Sequence, residues 1–259
     1  MVQCPQPVGE LLREWRQRRR LSQLELACEA EISTRHLSFV ETGRATPSRE
    51  MVMNLAERLE VPLRDRNTLL LAAGFAPLYR ERPLADPALH AAQKAIDLVL
   101  LGQEPYPALA IDRHWTMVAS NRAVASMLTG ITASLLEPPV NVLRLSLHPN
   151  GLARRIANLS EWRSHLLDRL RRQIDVSRDP VLSALMSELR AYPHDDADPV
   201  ETYAGVVVPL RLITEAGVLS FFSTTMIFGT PVDVTLAELA VELFFPADAS
   251  TMEVLRRPV

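Results

Sequence analysis

The sequence predicts an all-α unit of five short helices, followed by an α+β unit built on a five-stranded antiparallel sheet with inserted helices. Three observations carry this. Up to about Ala73 the apolar residues recur at i, i+3 and i+4, with Ser, Pro and Gly marking each interruption. From Tyr106 the period falls to two, and it returns to two near the end of the chain. Between about Ala123 and Ala191 the pattern is helical again.

Length agrees, since 259 residues exceed one typical domain. A hydrophobic share of 47% suffices for packed cores. No apolar run reaches the ~18 residues of a membrane span, and the opening MVQCPQPVGELLREW lacks an apolar signal core. A cytoplasmic protein without membrane partners is expected. Cys4 and Cys28 are too few for a disulfide framework or a zinc site, which fits a reducing compartment. The net charge of −3 argues against general coating of nucleic acid, although residues 1–82 carry 13 Arg against 11 acidic residues. Lys94 is the only lysine.

The first helix runs from about Val8 to Arg19 on the stripe Val8, Leu11, Leu12, Trp15. Its Arg16, Arg18, Arg19 and Arg20 suit either phosphate contacts or the negative end of the helix dipole. Ser22 followed by Glu25 is a capping box that starts a second helix at Gln23. Ser33 caps a third, which turns Leu37 and Val40 inward and ends at Gly43. Two short helices joined by a tight turn make a helix-turn-helix, whose second helix places its first residues against base edges in the major groove. Ser48 caps a fourth helix, with Val52, Leu55, Ala56 and Leu59 inward. Pro62 opens a fifth, stopped by Gly74.

The stretch FAPLYRERP breaks the pattern and reads as a linker. Asp86-Pro87 then opens a helix to about Leu101, a connector or a dimerisation element. The domains are therefore 1–75, a linker and connector at 76–102, and 103–259. In the last, PALAI and WTMVAS flank a turn at Asp112–His114 as a hairpin, and Asn121 can cap the helix that follows. A long helix is expected over Leu152–Ile174 and another from Asp179-Pro180. Tyr192–Asp198 reads as an acidic loop. GVVVPLRLI, VLSFFSTTMIF and LAELAVELFFP complete the strands. The last is assigned as a strand on the alternation of Leu239, Val241, Leu243 and Phe245.

Leu21–Ala27, Ser33–Arg44 and Pro47-Ser48 closely resemble the Cro/lambda-repressor-like (XRE-type) helix-turn-helix family, with Glu41, Gly43 and Arg44 matching its E-x-G-[RK] end. RHLSFVETGR, RNTLLLAAGFAP, HWTMVASNRA, HPNGL and FGTPVDVTLAEL resemble one subgroup, regulators with a C-terminal MmyB-like ligand-binding domain. The resemblance covers nearly the whole chain. It implies a PAS-like C-terminal domain, and a long-chain fatty acid as its possible ligand.

On the DNA side, Arg35 can fork onto guanine, and Thr34 or Phe39 can pack on a thymine methyl. Ser38 shares that face, and Ser33 and His36 are further DNA-binding candidates, His36 with the alternative of touching only the DNA backbone. Gln23, which stands where the family commonly contacts phosphate, would position the helix together with Arg44 and Ser48. Phe39 could instead be an extra core residue. One module buries too little for tight specific binding, so a homodimer on two half-sites of an operator is expected. In the second domain Trp115, Asn121, Trp162, Leu166, Phe221, Phe222 and Met226 are candidates for an apolar cavity, with Arg122 or Arg211 for a carboxylate. The commoner role of such apolar residues is plain core, which leaves the alternative of a ligand-free dimerisation or protein-interaction module.

His90, His114, His148, His165 and His194 show no metal spacing. Gly-rich nucleotide loops, the G-x-S-x-G elbow and H-E-x-x-H are missing, so an enzyme is not expected, and no cofactor is required.

Overall fold

The computed structural model describes residues 6–193 and 207–256; Cys4, His194 and the acidic stretch Asp195–Asp198 lie outside them. The chain forms two compact units, one of Met1–Pro83 with Thr230–Ala237, the other of Leu84–Gly229 with Glu238–Val259.

In the helical unit, α1 (Val8–Arg18), α2 (Gln23–Glu29), α3 (Thr34–Glu41), α4 (Arg49–Arg58) and α5 (Leu63–Ala72) each turn one stripe inward. Leu12, Trp15, Leu26, Leu37, Val40, Leu55 and Leu70 are buried in one core. The capping serines act as the sequence requires. Ser22 and Glu25 close a reciprocal capping box, Ser33 Oγ accepts from the His36 N–H, and Ser48 Oγ accepts from the Met51 N–H. Helices α1, α2 and α4 end without a glycine. Arg20, Glu31 and Glu60 take left-handed backbone there, and the N–H of the next residue returns to a carbonyl five positions back, as in Leu21 to Arg16 and Ile32 to Ala27.

The segment Thr230–Ala237 joins this unit from far along the chain. Asp233 is 2% exposed. Its carboxylate accepts from Arg82 Nη1 at 2.7 Å and from the Thr235 N–H at 2.9 Å. The Val234 N–H donates to the Arg80 carbonyl, and Thr235 Oγ1 to that of Arg82 at 2.6 Å. This seats the short helix α11 (Val234–Ala237).

The second unit begins with α6 (His90–Gly102). It continues through β1 (Ala108–Ile111), β2 (Met117–Ser120), α7 (Arg122–Met127), α8 (Val142–Leu147), α9 (Leu159–Ser177) and α10 (Pro180–Ala191) to β3 (Leu210–Thr214), β4 (Gly217–Ile227), β5 (Ala240–Pro246) and α12 (Ala249–Arg256). The five strands form one antiparallel sheet in the order β2-β1-β5-β4-β3. One core collects Trp162, Leu166 and Leu170 of α9, Leu182 and Leu189 of α10, and the sheet residues Leu210, Leu212, Leu219 and Phe221.

Three expectations need correction. The long helix begins at Leu159 rather than Leu152, because Ile156 is extended and bridges to Leu212 on the sheet. The last apolar run divides: Leu236 is in α11, and the strand begins only at Ala240. Asn121 makes no cap with its side chain. Its amide oxygen accepts from the Ala108 N–H, and its NH2 donates to the carbonyls of Leu100 and Tyr106, tying the end of α6 to the start of β1.

Candidate DNA-reading helix and ligand cavity

On α3, Leu37 and Val40 are buried, Arg35 is exposed, and Thr34, His36, Ser38 and Phe39 are half-buried. Phe39 is neither core nor bare: the Arg35 guanidinium lies over its ring, 5.3 Å from the centroid. A cation over a ring face is restrained without losing its outward N–H groups, so Arg35 is held on the helix surface. Ser33, Arg44 and Ser48 are exposed as well, and the two serines already use their hydroxyl oxygens as caps.

Beneath the face lies an ion pair that periodicity does not reveal. Arg16, 9% exposed, donates from Nε to Glu41 Oε1 at 2.6 Å and from Nη2 to Oε2 at 2.9 Å, while Nη1 reaches the Leu21 carbonyl at 2.8 Å. Gln23 Nε2 gives Glu41 a third hydrogen bond at 2.8 Å. The bond to Glu41 raises the Arg16 pKa above its ordinary value. The network joins α1, the start of α2 and the end of α3. Arg16 is thereby removed from the phosphate candidates. Gln23 has one of its two amide N–H groups engaged, and one remains for a phosphate. Arg18 sits over the Trp15 ring and pairs with Glu14, and Arg19 holds the carbonyls of Leu59 and Glu60.

In the sheet unit, a cavity of about 90 Å³ lies between β1, β4 and β5 on one side and α7, α8 and α9 on the other. Its wall is largely apolar, and Trp115, Trp162 and Leu166 line it as the sequence suggests, together with Met127 and Phe244. Trp115 adopts a left-handed backbone, φ +65°, a strained state for a bulky residue. Asp112 Oδ1 holds the turn by accepting from the N–H groups of His114 and Thr116, each at 2.8 Å. The Trp115 indole N–H donates to Gln173 at 2.8 Å.

The polar groups of the wall are Ser146, Ser223, Arg169 and Glu242. Glu242 is 4% exposed. Arg169 Nη2 donates to its Oε1 at 2.7 Å and Nη1 to its Oε2 at 3.3 Å. Thr225 Oγ1 also donates to Oε1, at 2.9 Å. The Arg169 guanidinium lies 4.8 Å from the centroid of the Trp115 ring. Burial lowers the pKa of His165, one turn before Arg169, and the charges of Arg169 and Arg172 lower it further.

The remaining candidates stand elsewhere. Arg122 and Phe221 line a separate open groove that shares only Pro107 and Met127 with the cavity. Asn121 is committed to the backbone bonds described above. Arg211 is half-buried on β3, outside both hollows. Phe222, stacked on Phe245, and Met226 lie on the opposite sheet face, since successive residues of a strand alternate sides. The same alternation sorts the last strand: Glu242 and Phe244 face the cavity, and Val241, Leu243 and Phe245 face away. Two signals pointed to the missed pair. Arg169 falls on the stripe Trp162, Leu166, Gln173 at helical spacing, and Glu242 interrupts an apolar strand. Among the described residues, no three His, Cys, Asp or Glu converge as metal ligands, and no helix is long and apolar enough to cross a membrane.

A recognition helix on a capped helical unit, and a hollow sheet unit beside it in sequence, describe a DNA-binding regulator with a sensory domain. Residues 92–257 match the family described as MmyB-like transcription regulator ligand binding domain, and residues 7–69 match a helix-turn-helix domain. The chain belongs to the MmyB-like transcription regulators. No curated protein gives a match. Among solved structures, the chain is similar to the clp gene regulator ClgR from Corynebacterium glutamicum, at 28% identity over 38% of this chain and 90% of that one. The TM-score of that match is 0.23.

Proposed function

We propose that the protein is a cytoplasmic, sequence-specific transcription regulator. It binds an operator as a homodimer and changes its grip on DNA when an apolar small molecule, with a long-chain fatty acid the leading candidate, enters the sheet unit. The observation that carries the reading is α3 itself: capped at Ser33, locked from behind by Arg16 and Glu41, and presenting Arg35 braced on Phe39. Arg35 reads a base, with Thr34, His36, Ser38 and Phe39 beside it; Gln23, Arg44 and Ser48 set the register on phosphates. A ligand acts by favouring one arrangement of the dimer.

The cavity's size favours keeping a second reading. An engineered hollow of about 150 Å³ takes benzene, so 90 Å³ holds only part of a long chain unless the walls open. The second unit is then a dimerisation module with an imperfect core.

Binding-site selection on wild type, Arg35→Ala and Arg44→Ala tests the DNA half. Arg35→Ala relaxes one base position and costs about 1–3 kcal/mol; Arg44→Ala weakens all sequences alike and lowers the salt slope by about one. An unchanged motif removes Arg35 as a reader. Mass spectrometry of an organic extract of the purified protein tests the other half: an apolar ligand in stoichiometric amount supports the sensor, and its absence the dimerisation module.

A further inference from the structure

We propose that Glu242 is a built-in stand-in for a ligand head group. It occupies the carboxylate-binding fork of Arg169, so once the walls open to admit a chain, a neutral head group meets the pair as it stands, and an anionic one, a fatty acid included, gains the fork only in exchange for Glu242. The inference rests on the cavity being a ligand site. It deepens that reading by naming the residue that selects the head group.

A guanidinium at the edge of an apolar hollow is the group best shaped to hold a carboxylate, through two parallel N–H donors. In this structure the fork is filled from within. Both Glu242 oxygens take an Arg169 N–H, and Thr225 adds a third donor. Arg169 and Glu242 are nevertheless both part of the cavity wall, so an occupant meets the pair itself. The pair presents no net charge to that occupant. A hydroxyl is served by it directly, accepting from Arg169 or a serine hydroxyl while donating to Glu242. A carboxylate faces the like charge of Glu242 and an Arg already committed. It gains the fork only when Glu242 swings away, and a carboxylate that buried is costly to leave without its cation. Exchange is thus an even trade in charge and in hydrogen bonds for Arg169, with the penalty carried by Glu242. That penalty separates acids from alcohols of the same chain length.

The Trp115 ring supports the fork from the other side. Its face is against the guanidinium, its N–H is held by Gln173, and its backbone is strained into the turn. Arg169 therefore keeps its position whichever carboxylate it holds, and β5, which carries Glu242, is the element that must yield.

The test uses the delipidated full-length chain and calorimetric titration with dodecan-1-ol and dodecanoate, below micelle formation, at pH 8. The readout is the ratio of acid affinity to alcohol affinity. Glu242→Gln should raise that ratio about tenfold or more, by removing the competing charge. Arg169→Met should lower it by a similar factor. In the double variant, which carries neither charge, the ratio should fall below wild type, and this decides the matter where Glu242→Gln alone melts. A ratio that Glu242→Gln leaves unchanged, or a double variant whose ratio is no lower than that of wild type, overturns the inference while leaving an apolar cavity intact. Failure of both ligands to bind any variant overturns the cavity reading, and the inference with it.

Discussion

Each unit of the molecule contains a bidentate Arg–Glu pair drawn from distant parts of the chain, and the two have different surroundings. Arg16 and Glu41 are enclosed by packed helices, with Arg16 Nη1 also donating to the Leu21 carbonyl and Gln23 to Glu41. Arg169 and Glu242 border a hollow. A buried pair is weak as a source of stability, because desolvation offsets most of its attraction, but it is strict about geometry. In the helical unit the pair ties the end of α3 to α1. In the sheet unit the same chemistry beside empty space is open to substitution. Function follows from the packing around the pair rather than from the pair.

The largest expected effect exposes that difference in packing. A Cβ added at Gly9 would overlap the Val40 carbonyl oxygen and lie 2.9 Å from that of Glu41. Both are backbone atoms at the end of the reading helix, so nothing there can rotate aside. Gly9→Ala should cost about 3 kcal/mol or more, the upper range for overpacking, and lower the thermal midpoint sharply. Ser223→Val adds a similar bulk to a strand residue that faces the cavity, where there is room, and β-branched residues suit strands. It should change stability by less than about 1 kcal/mol. Equal losses in chemical denaturation would erase the distinction between packed and hollow units.

A smaller effect concerns the enclosed pair. Glu41→Leu leaves Arg16 buried without its anion and should cost about 3–5 kcal/mol, while Arg16→Met with Glu41→Leu should recover most of the loss. If the double variant folds well yet binds operator poorly, the pair's contribution is orientation. If it binds as wild type does, packing alone sets the helix angle.

Local chemistry was legible in the sequence and long-range pairing was not. Ser22, Ser33 and Ser48 declare the starts of α2, α3 and α4, because a cap is a contact within three residues. The hairpin and the inserted helices follow from a change of period. By contrast, Arg16 meets Glu41 across 25 residues, Arg169 meets Glu242 across 73, and Arg82 meets Asp233 across 151. No period spans such distances, and so nothing marked Thr230–Ala237 as part of the helical unit. Which strand residues face the cavity was hidden for a different reason. Phe221 and Phe222, like Phe244 and Phe245, are adjacent aromatics, and hydrophobicity alone does not say which of two neighbours faces inward. Glu242 would have said so, had its position in an apolar strand been read as a polar group aimed at a partner.

The smallest effect lies in a pH window that belongs to the hollow unit. His165 stacks on Trp162 in α9. Burial first, then the charges of Arg169 and Arg172, lower its pKa below the ordinary 6.5, outweighing Glu242 and Asp168, which act to raise it. The unfolded chain therefore binds the proton more readily than the folded one. The stability this confers on the neutral form is complete above about pH 6.5 and declines as pH falls from there to the folded pKa. Asp179, Glu188 and Asp248 are shifted downward from 3.8, 4.5 and 3.8, so their contributions are lost only at lower pH and do not enter this window. The thermal midpoint should drop modestly between pH 7.5 and 5.5 in wild type, and by less in His165→Gln, which cannot take up the proton. An identical drop in both would place the sensitive group elsewhere. A smaller drop ties the acid response to the turn of α9 that precedes Arg169, where protonating His165 adds a third cation beside Arg169 and Arg172, and so the cavity rather than the DNA-reading core would be the first part of the molecule to register acid.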